Sequence, residues 1–179
     1  MNDNLLIDNK SDIFCLNQFN GELGSKIKSI CPLLKQFTIH VVNKNKSRFI
    51  KESQLRDNDT FGFYLVKDKF QISSTYIEII IDEKLFQQLC LTESEMMAAI
   101  AHEIGHVIMF FREDKENFQG QAEEVCCDSY ACKIGLAVSL SSLLSKLINS
   151  NLYTKEQSAV MKNRLLFIKP YLWNDFNRV

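Results

Sequence analysis

"MMAAIAHEIGHVIMFF", Met96 to Phe111, sets His102, Glu103 and His106 inside an otherwise apolar run. The chain has 3 histidines in all, so two of them and a carboxylate in its greasiest stretch require a physical reason. His102 and His106 are four residues apart. On a helix that is about 40° of rotation and one turn of rise, so both imidazoles leave one face. Two such nitrogens can share one Zn2+ at about 2.0–2.1 Å each. Glu103 is displaced by about 100°, badly placed as a third ligand but well placed to reach a water on the metal. This is the H-E-x-x-H logic of two ligands and a general base. Ala98, Ala99, Ile100, Ala101, Ile104, Val107 and Ile108 surround the triplet, so the helix is core. Unpaired polar groups there are costly, and coordination removes the cost. Gly105 leaves room for another element to approach closely.

The elements follow outward from this helix. "TESE" (92–95) is a capping box with Thr92 as cap and Glu95 three residues on, predicting a helix over about 93–111. Before it, "DEKLFQQLC" (82–90) has an acidic start and helical spacing. "FTIHVV" (37–42), "FGFYLV" (61–66), "FQIS" (70–73) and "YIEIII" (76–81) read as strands of a small sheet. Apolar residues from Ile13 to Ile30 fall at helical spacing, and Pro32 ends that segment. After the central helix, a polar loop leads to a helix at about 122–134, closed by Gly135 as a C-cap. Further helices are expected at about 137–149 and 154–168, with "KPYLWNDF" as the exit. Sheet elements first and helices second is an α+β order. We expect one domain over 1–179: a helical segment at 1–36, a sheet at 37–81, and helices carrying the metal site at 82–179.

A catalytic zinc needs a third protein ligand and an open position. In "QAEEVCCDSYACKIG" (121–135), Glu124 and Asp128 are also i, i+4 and share a face. Glu124 is the preferred third ligand, with Glu123 and His40 as rivals. Asp128, one turn on, is placed to accept the N–H of a ligating histidine and fix its tautomer. Glu123 is equally explained as an acid in the first turn of its helix.

Composition limits the alternatives. With 46% hydrophobic residues and 13 Phe the chain has material for a core. A net charge of −1 with interspersed signs gives no nucleic-acid footprint. No apolar run reaches the length of a membrane span, and "MNDNLLIDNKSDIF" reads as no secretory signal. The 6 cysteines show no C-x-x-C pair and read as small buried hydrophobes in a reducing, cytoplasmic compartment.

The order "YIEIIIDEKLFQQLCLTESEMMAAIAHEIGHV", "AEEVCCDSYACKIG", "NRLLFI" resembles the gluzincin zinc metallopeptidases of the CAAX-prenyl-protease and HtpX type, over roughly residues 61–168. The resemblance implies a zincin-like fold with an active-site helix, a glutamate helix and a small sheet whose edge strand, such as "YIEIII", holds an extended substrate. It implies Zn2+ on His102, His106 and Glu124, Glu103 as the base, Asp128 behind the ligands, and matches at Ala131, Gly135 and Arg164. Many relatives carry a His-Pro ahead of that arginine. The region here is "EQSAVMKNR", with Ser158 near that place and no histidine. Tyr153 and Arg164 are the remaining candidates for stabilising the transition state; a packed aromatic and an ion pair with a helix carboxylate are their structural alternatives.

The function expected is therefore a zinc metalloendopeptidase acting on peptide or protein. A regulatory protease of the ImmA/IrrE kind, cutting a repressor, shares the H-E-x-x-H and nearby glutamate. A zinc-bearing interaction module with weak catalysis is the third possibility, motivated by the missing histidine.

Overall fold

The computed structural model describes residues 29, 38–44, 61–65, 76–112 and 117–176, which are mostly helical. The chain divides into two compact units, Met1–Phe86 and Gln87–Val179.

In the first unit, strands β1 (Thr38–Asn43), β2 (Phe61–Leu65) and β3 (Tyr76–Ile81) form a sheet of order β1-β3-β2. β1 runs parallel to β3, with Val41 opposite Ile79. β2 runs antiparallel to β3, with Phe63 opposite Ile79. "YIEIII" is therefore the central strand, hydrogen-bonded on both sides, and not the edge strand that the family resemblance implied for substrate. Its composition accounts for this. Successive residues of a strand face opposite sides of the sheet, and Ile79 and Ile80 are both buried, at 0% and 2% exposure. The apolar run Ile79–Ile81, which follows Glu78, is buried on both faces, as in a strand covered on both sides. The expected strand at 70–73 and the N-terminal helix, Ser29 apart, lie outside the described residues.

Helix α1 (Glu83–Gln88) begins at Asp82, whose Oδ1 accepts from the backbone N–H groups of Lys84 and Leu85. After it the chain turns through Cys90 at φ 47. Cys90 is exposed, against the expectation of burial, whereas Cys127 and Cys132 are buried as expected.

In the second unit, α2 (Glu93–Phe110) is the central helix, and every residue from Glu95 to Gly105 is buried. Its capping box is complete: Glu95 N–H donates to Thr92 Oγ1 at 3.3 Å, and Thr92 N–H donates to Glu95 Oε2 at 2.6 Å. The Glu95 carboxylate also accepts from Ser142 Oγ at 2.6 Å and Lys146 Nζ at 2.7 Å. One side chain thus caps α2 and ties it to α4 (Ala137–Asn149). Between them, α3 (Gln121–Lys133) ends in a Schellman motif: Gly135 N–H donates to the Cys132 carbonyl and Leu136 N–H to the Ala131 carbonyl. Gly135, at φ +90, supplies the left-handed residue this turn demands.

Helix α2 packs on α3 and α4, and α5 (Lys155–Phe176) packs on α3 and α4. Ile100, Ile104, Leu140 and Leu144 fill the centre. α5 passes through Pro170 instead of ending before it. A helix-interior proline forfeits the hydrogen bond to the i−4 carbonyl. Here that carbonyl belongs to Leu166, on an exposed stretch with Lys169 and Pro170, where water can replace the lost donor. No helix among the described residues is long and apolar enough to cross a membrane.

Candidate metal centre

Helices α2 and α3 come together at Gly105. A Cβ built there meets Cys127 Cα at 2.7 Å and Cys127 Cβ at 2.9 Å, so only glycine permits this spacing. Contacts step forward along α2 and back along α3: His102 meets Asp128, and His106 meets Glu123 and Glu124. The two helices are therefore antiparallel, and the i, i+4 pairs of each face one another.

The four ring nitrogens sort into two roles. On the outer edges, His102 Nδ1 lies 2.8 Å from Asp128 Oδ1 and His106 Nδ1 lies 3.0 Å from Glu123 Oε1. An ionised carboxylate only accepts, so these contacts favour the proton on each Nδ1. On the inner edges, His102 Nε2 is 3.3 Å from Glu124 Oε2 and His106 Nε2 is 3.4 Å from Glu124 Oε1. The ring centroids are 4.9 Å apart with planes at 86°. A ligand atom from each of His102, His106 and Glu124 lies within 4.8 Å of the others, and the three can hold a metal ion.

Arg164, from α5, reaches into the cluster, with its Nη2 3.1 Å from His102 Nδ1 and 3.4 Å from His102 Nε2. Its Nε donates to Asp128 Oδ2 at 2.8 Å, its Nη2 to Asp128 Oδ1 at 2.7 Å, and its Nη1 to Glu124 Oε2 at 2.7 Å. One planar guanidinium thus fixes both the acid that orients His102 and the acid between the two histidines. Of the two remaining sequence candidates, Arg164 stands in the cluster in this way. Tyr153 is half-buried in the segment between α4 and α5.

Oppositely charged groups face one another in the cluster. Burial raises the Asp128 carboxyl, but hydrogen bonds from His102 and Arg164 outweigh it and hold the group below the usual carboxylate range. At Glu124 burial also raises, and the two histidines with Arg164 win by a larger margin. Burial lowers both imidazoles, yet His102 ends above its ordinary value because Asp128 and Glu124 face it. His106 is pushed up to about 12, with Cys127 and Glu124 opposing burial. The inner carboxylate is met by histidine protons. Glu103 is different. It is 8% exposed on α2, and burial dominates, moving its carboxyl upward despite His102 and His106 nearby.

Sequence reasoning had Glu123 as a rival ligand or a helix-dipole acid; the structure sets it on the outer nitrogen of His106. Its signal was faint, since an acid adjacent to a better candidate on the same helix turn has two ordinary explanations. His40 lies on β1, in the other unit. Comparison with protein-family models, with curated proteins and with solved structures returned no match.

Proposed function

We propose that this chain is a zinc-dependent metalloendopeptidase, with His102, His106 and Glu124 as ligands and Glu103 as the base. One observation carries the reading: two imidazole Nε2 atoms converge on one carboxylate while each Nδ1 is already held by another acid. A tetrahedral centre with bonds of about 2.0–2.1 Å has ligand-to-ligand edges of about 3.3–3.4 Å. The His102 Nε2 separation of 3.3 Å runs to Glu124 Oε2 and the His106 Nε2 separation of 3.4 Å to Oε1, and one ligand atom from each residue lies within 4.8 Å of the others, so a small inward shift brings the three to that edge. Two nitrogens and one oxygen are donors suited to zinc, and three protein ligands leave a fourth place open, as in catalytic sites.

A bound zinc would lower the pKa of a water in the open place towards 7 and polarise a substrate carbonyl. The protein's own groups do the rest. Asp128 and Arg164 keep the His102 ring from rotating. Glu103, its carboxyl raised by burial, takes a proton from the attacking water and returns it to the leaving amine. Peptide as the substrate class, and a zincin-like fold, rest on the resemblance of "AHEIGH" and "EEVCCD" to the gluzincin peptidases. Because β3 is central, substrate is not held on its edge.

A second reading is a zinc-bearing module with little turnover. It is favoured by the engagement of Arg164, whose Nε, Nη1 and Nη2 are all committed to Asp128 and Glu124. The deciding experiment is metal content by elemental analysis together with digestion of a denatured protein, wild type beside Glu103→Gln. We expect one zinc per chain in both and a loss of turnover of at least about 100-fold in the variant. A chain without stoichiometric metal would end the reading. Equal cleavage by the variant would remove Glu103 as base, and metal without turnover would select the second reading.

A further inference from the structure

A metal-bound histidine is defined as much by its other nitrogen as by the one that ligates. A carboxylate accepting the outer N–H fixes the tautomer, stops ring rotation and makes the inner nitrogen a better donor. His102 has such a partner in Asp128, read from the sequence. His106 has one too. Glu123 and Glu124 are adjacent on α3, yet they grip opposite nitrogens of one imidazole: Glu123 Oε1 at 3.0 Å from Nδ1, and Glu124 Oε1 at 3.4 Å from Nε2.

We infer that Glu123 is a positioning residue of the metal site, acting through His106 and not as a ligand; this rests on the reading of His102, His106 and Glu124 as the ligand set. The geometry separates the two roles. An oxygen on the Nδ1 side of an imidazole lies across the ring from anything bound at Nε2. The two orienting acids also differ in setting. Asp128 is fully buried and doubly held by Arg164, whereas the Glu123 side chain is 36% exposed. Water competes for Glu123, so its hold is weaker and its removal is tolerated by the fold.

The test is Zn2+ affinity by chelator competition for wild type, Glu123→Gln and Glu123→Ala, with Co2+ ligand-field spectra of all three. We expect Glu123→Ala to weaken binding about 10-fold, the lower end of the effect of such partners because the group is exposed. Glu123→Gln should recover part of the loss, since its amide oxygen still accepts from Nδ1–H. The shape and intensity of the Co2+ bands should be the same in all three, because no ligand has changed. Unchanged affinity in Glu123→Ala, with wild type binding one metal, overturns this inference alone. A change in Co2+ coordination in that variant also overturns it, making Glu123 a ligand. A wild-type chain that binds no metal overturns this inference together with the ligand set beneath it.

Discussion

Arg164 holds Asp128 by both carboxylate oxygens, Nε on Oδ2 at 2.8 Å and Nη2 on Oδ1 at 2.7 Å. The same Oδ1 accepts from His102 Nδ1 at 2.8 Å. Asp128 is fully buried, so this arginine is what makes a charged carboxylate tolerable there. Breaking a buried ion pair from one side strands the other charge. Arg164→Ala should therefore destabilise the fold by about 3–5 kcal/mol, read from urea denaturation. Arg164→Lys should recover little, because an ammonium cannot make the forked contact. If Lys restores full stability, the bidentate geometry is not what matters.

Gly105 sets the distance between the two ligand-bearing helices. In Gly105→Ala the new methyl meets Cys127 backbone at 2.7 Å, and backbone cannot rotate away. Overpacking of this kind costs about 1–3 kcal/mol. The strain has a functional consequence, since moving α3 off α2 lengthens the separation between Glu124 and both histidines. We expect a lower denaturation midpoint and weaker Zn2+ binding in the same variant. A variant that loses stability but binds metal as tightly as wild type would show that the site does not depend on this contact.

How much of this was legible in the sequence follows from range. The capping box at Thr92 and Glu95, the Gly135 C-cap, and the i, i+4 pairs His102/His106 and Glu124/Asp128 are local, and spacing on a helix determines which side chains share a face. α2, α3 and α4 accordingly lie within a residue of their expected bounds. The partners of Arg164 lie 36 and 40 residues away, and nothing local says which carboxylates a late arginine will meet. The place of "YIEIII" in the sheet is likewise a matter of pairing between distant strands, which is why it was expected at an edge and lies at the centre. α5 runs past its expected end at about 168 and through Pro170, because the rule against proline in a helix weakens where the freed carbonyl faces water.

Glu95 carries a stabilising load remote from the metal. It completes the cap of α2 and accepts from Ser142 and Lys146 on α4. Burial opposes its charge, but Lys146 and Ser142 hold its carboxyl below the ordinary range. Glu95→Ala keeps the Thr92 side-chain cap but loses the bond from Thr92 N–H, of about 0.5–1.5 kcal/mol, and at least one charge-assisted hydrogen bond of about 1.5–3 kcal/mol. The expected result is a drop of about 2–4.5 kcal/mol in unfolding free energy from these two sources, with Zn2+ affinity per folded molecule unchanged. A large loss of affinity in the folded variant would mean that the start of α2 and the site are coupled.

The metal-free chain should lose stability as pH rises above neutrality. His102 and His106 both have folded-state pKa values above their ordinary value. A group of that kind stabilises the fold fully below its unfolded pKa, about 6.5 for histidine. Its contribution is lost as pH climbs from there through the folded pKa, because the folded state binds the proton that the unfolded state has released. The slope is at most about 1.4 kcal/mol per pH unit for each histidine. Asp128 and Glu124 act in the opposite window: their folded values are depressed, so their contribution is present above the unfolded carboxylate pKa and lost in acid. Urea denaturation of chelator-treated chain between pH 6.5 and 9 should thus show falling stability. With saturating Zn2+ the fall should vanish or reverse, since metal displaces the histidine protons and binds better as pH rises. A metal-free chain whose stability is flat across that range would mean the two imidazoles hold no proton there.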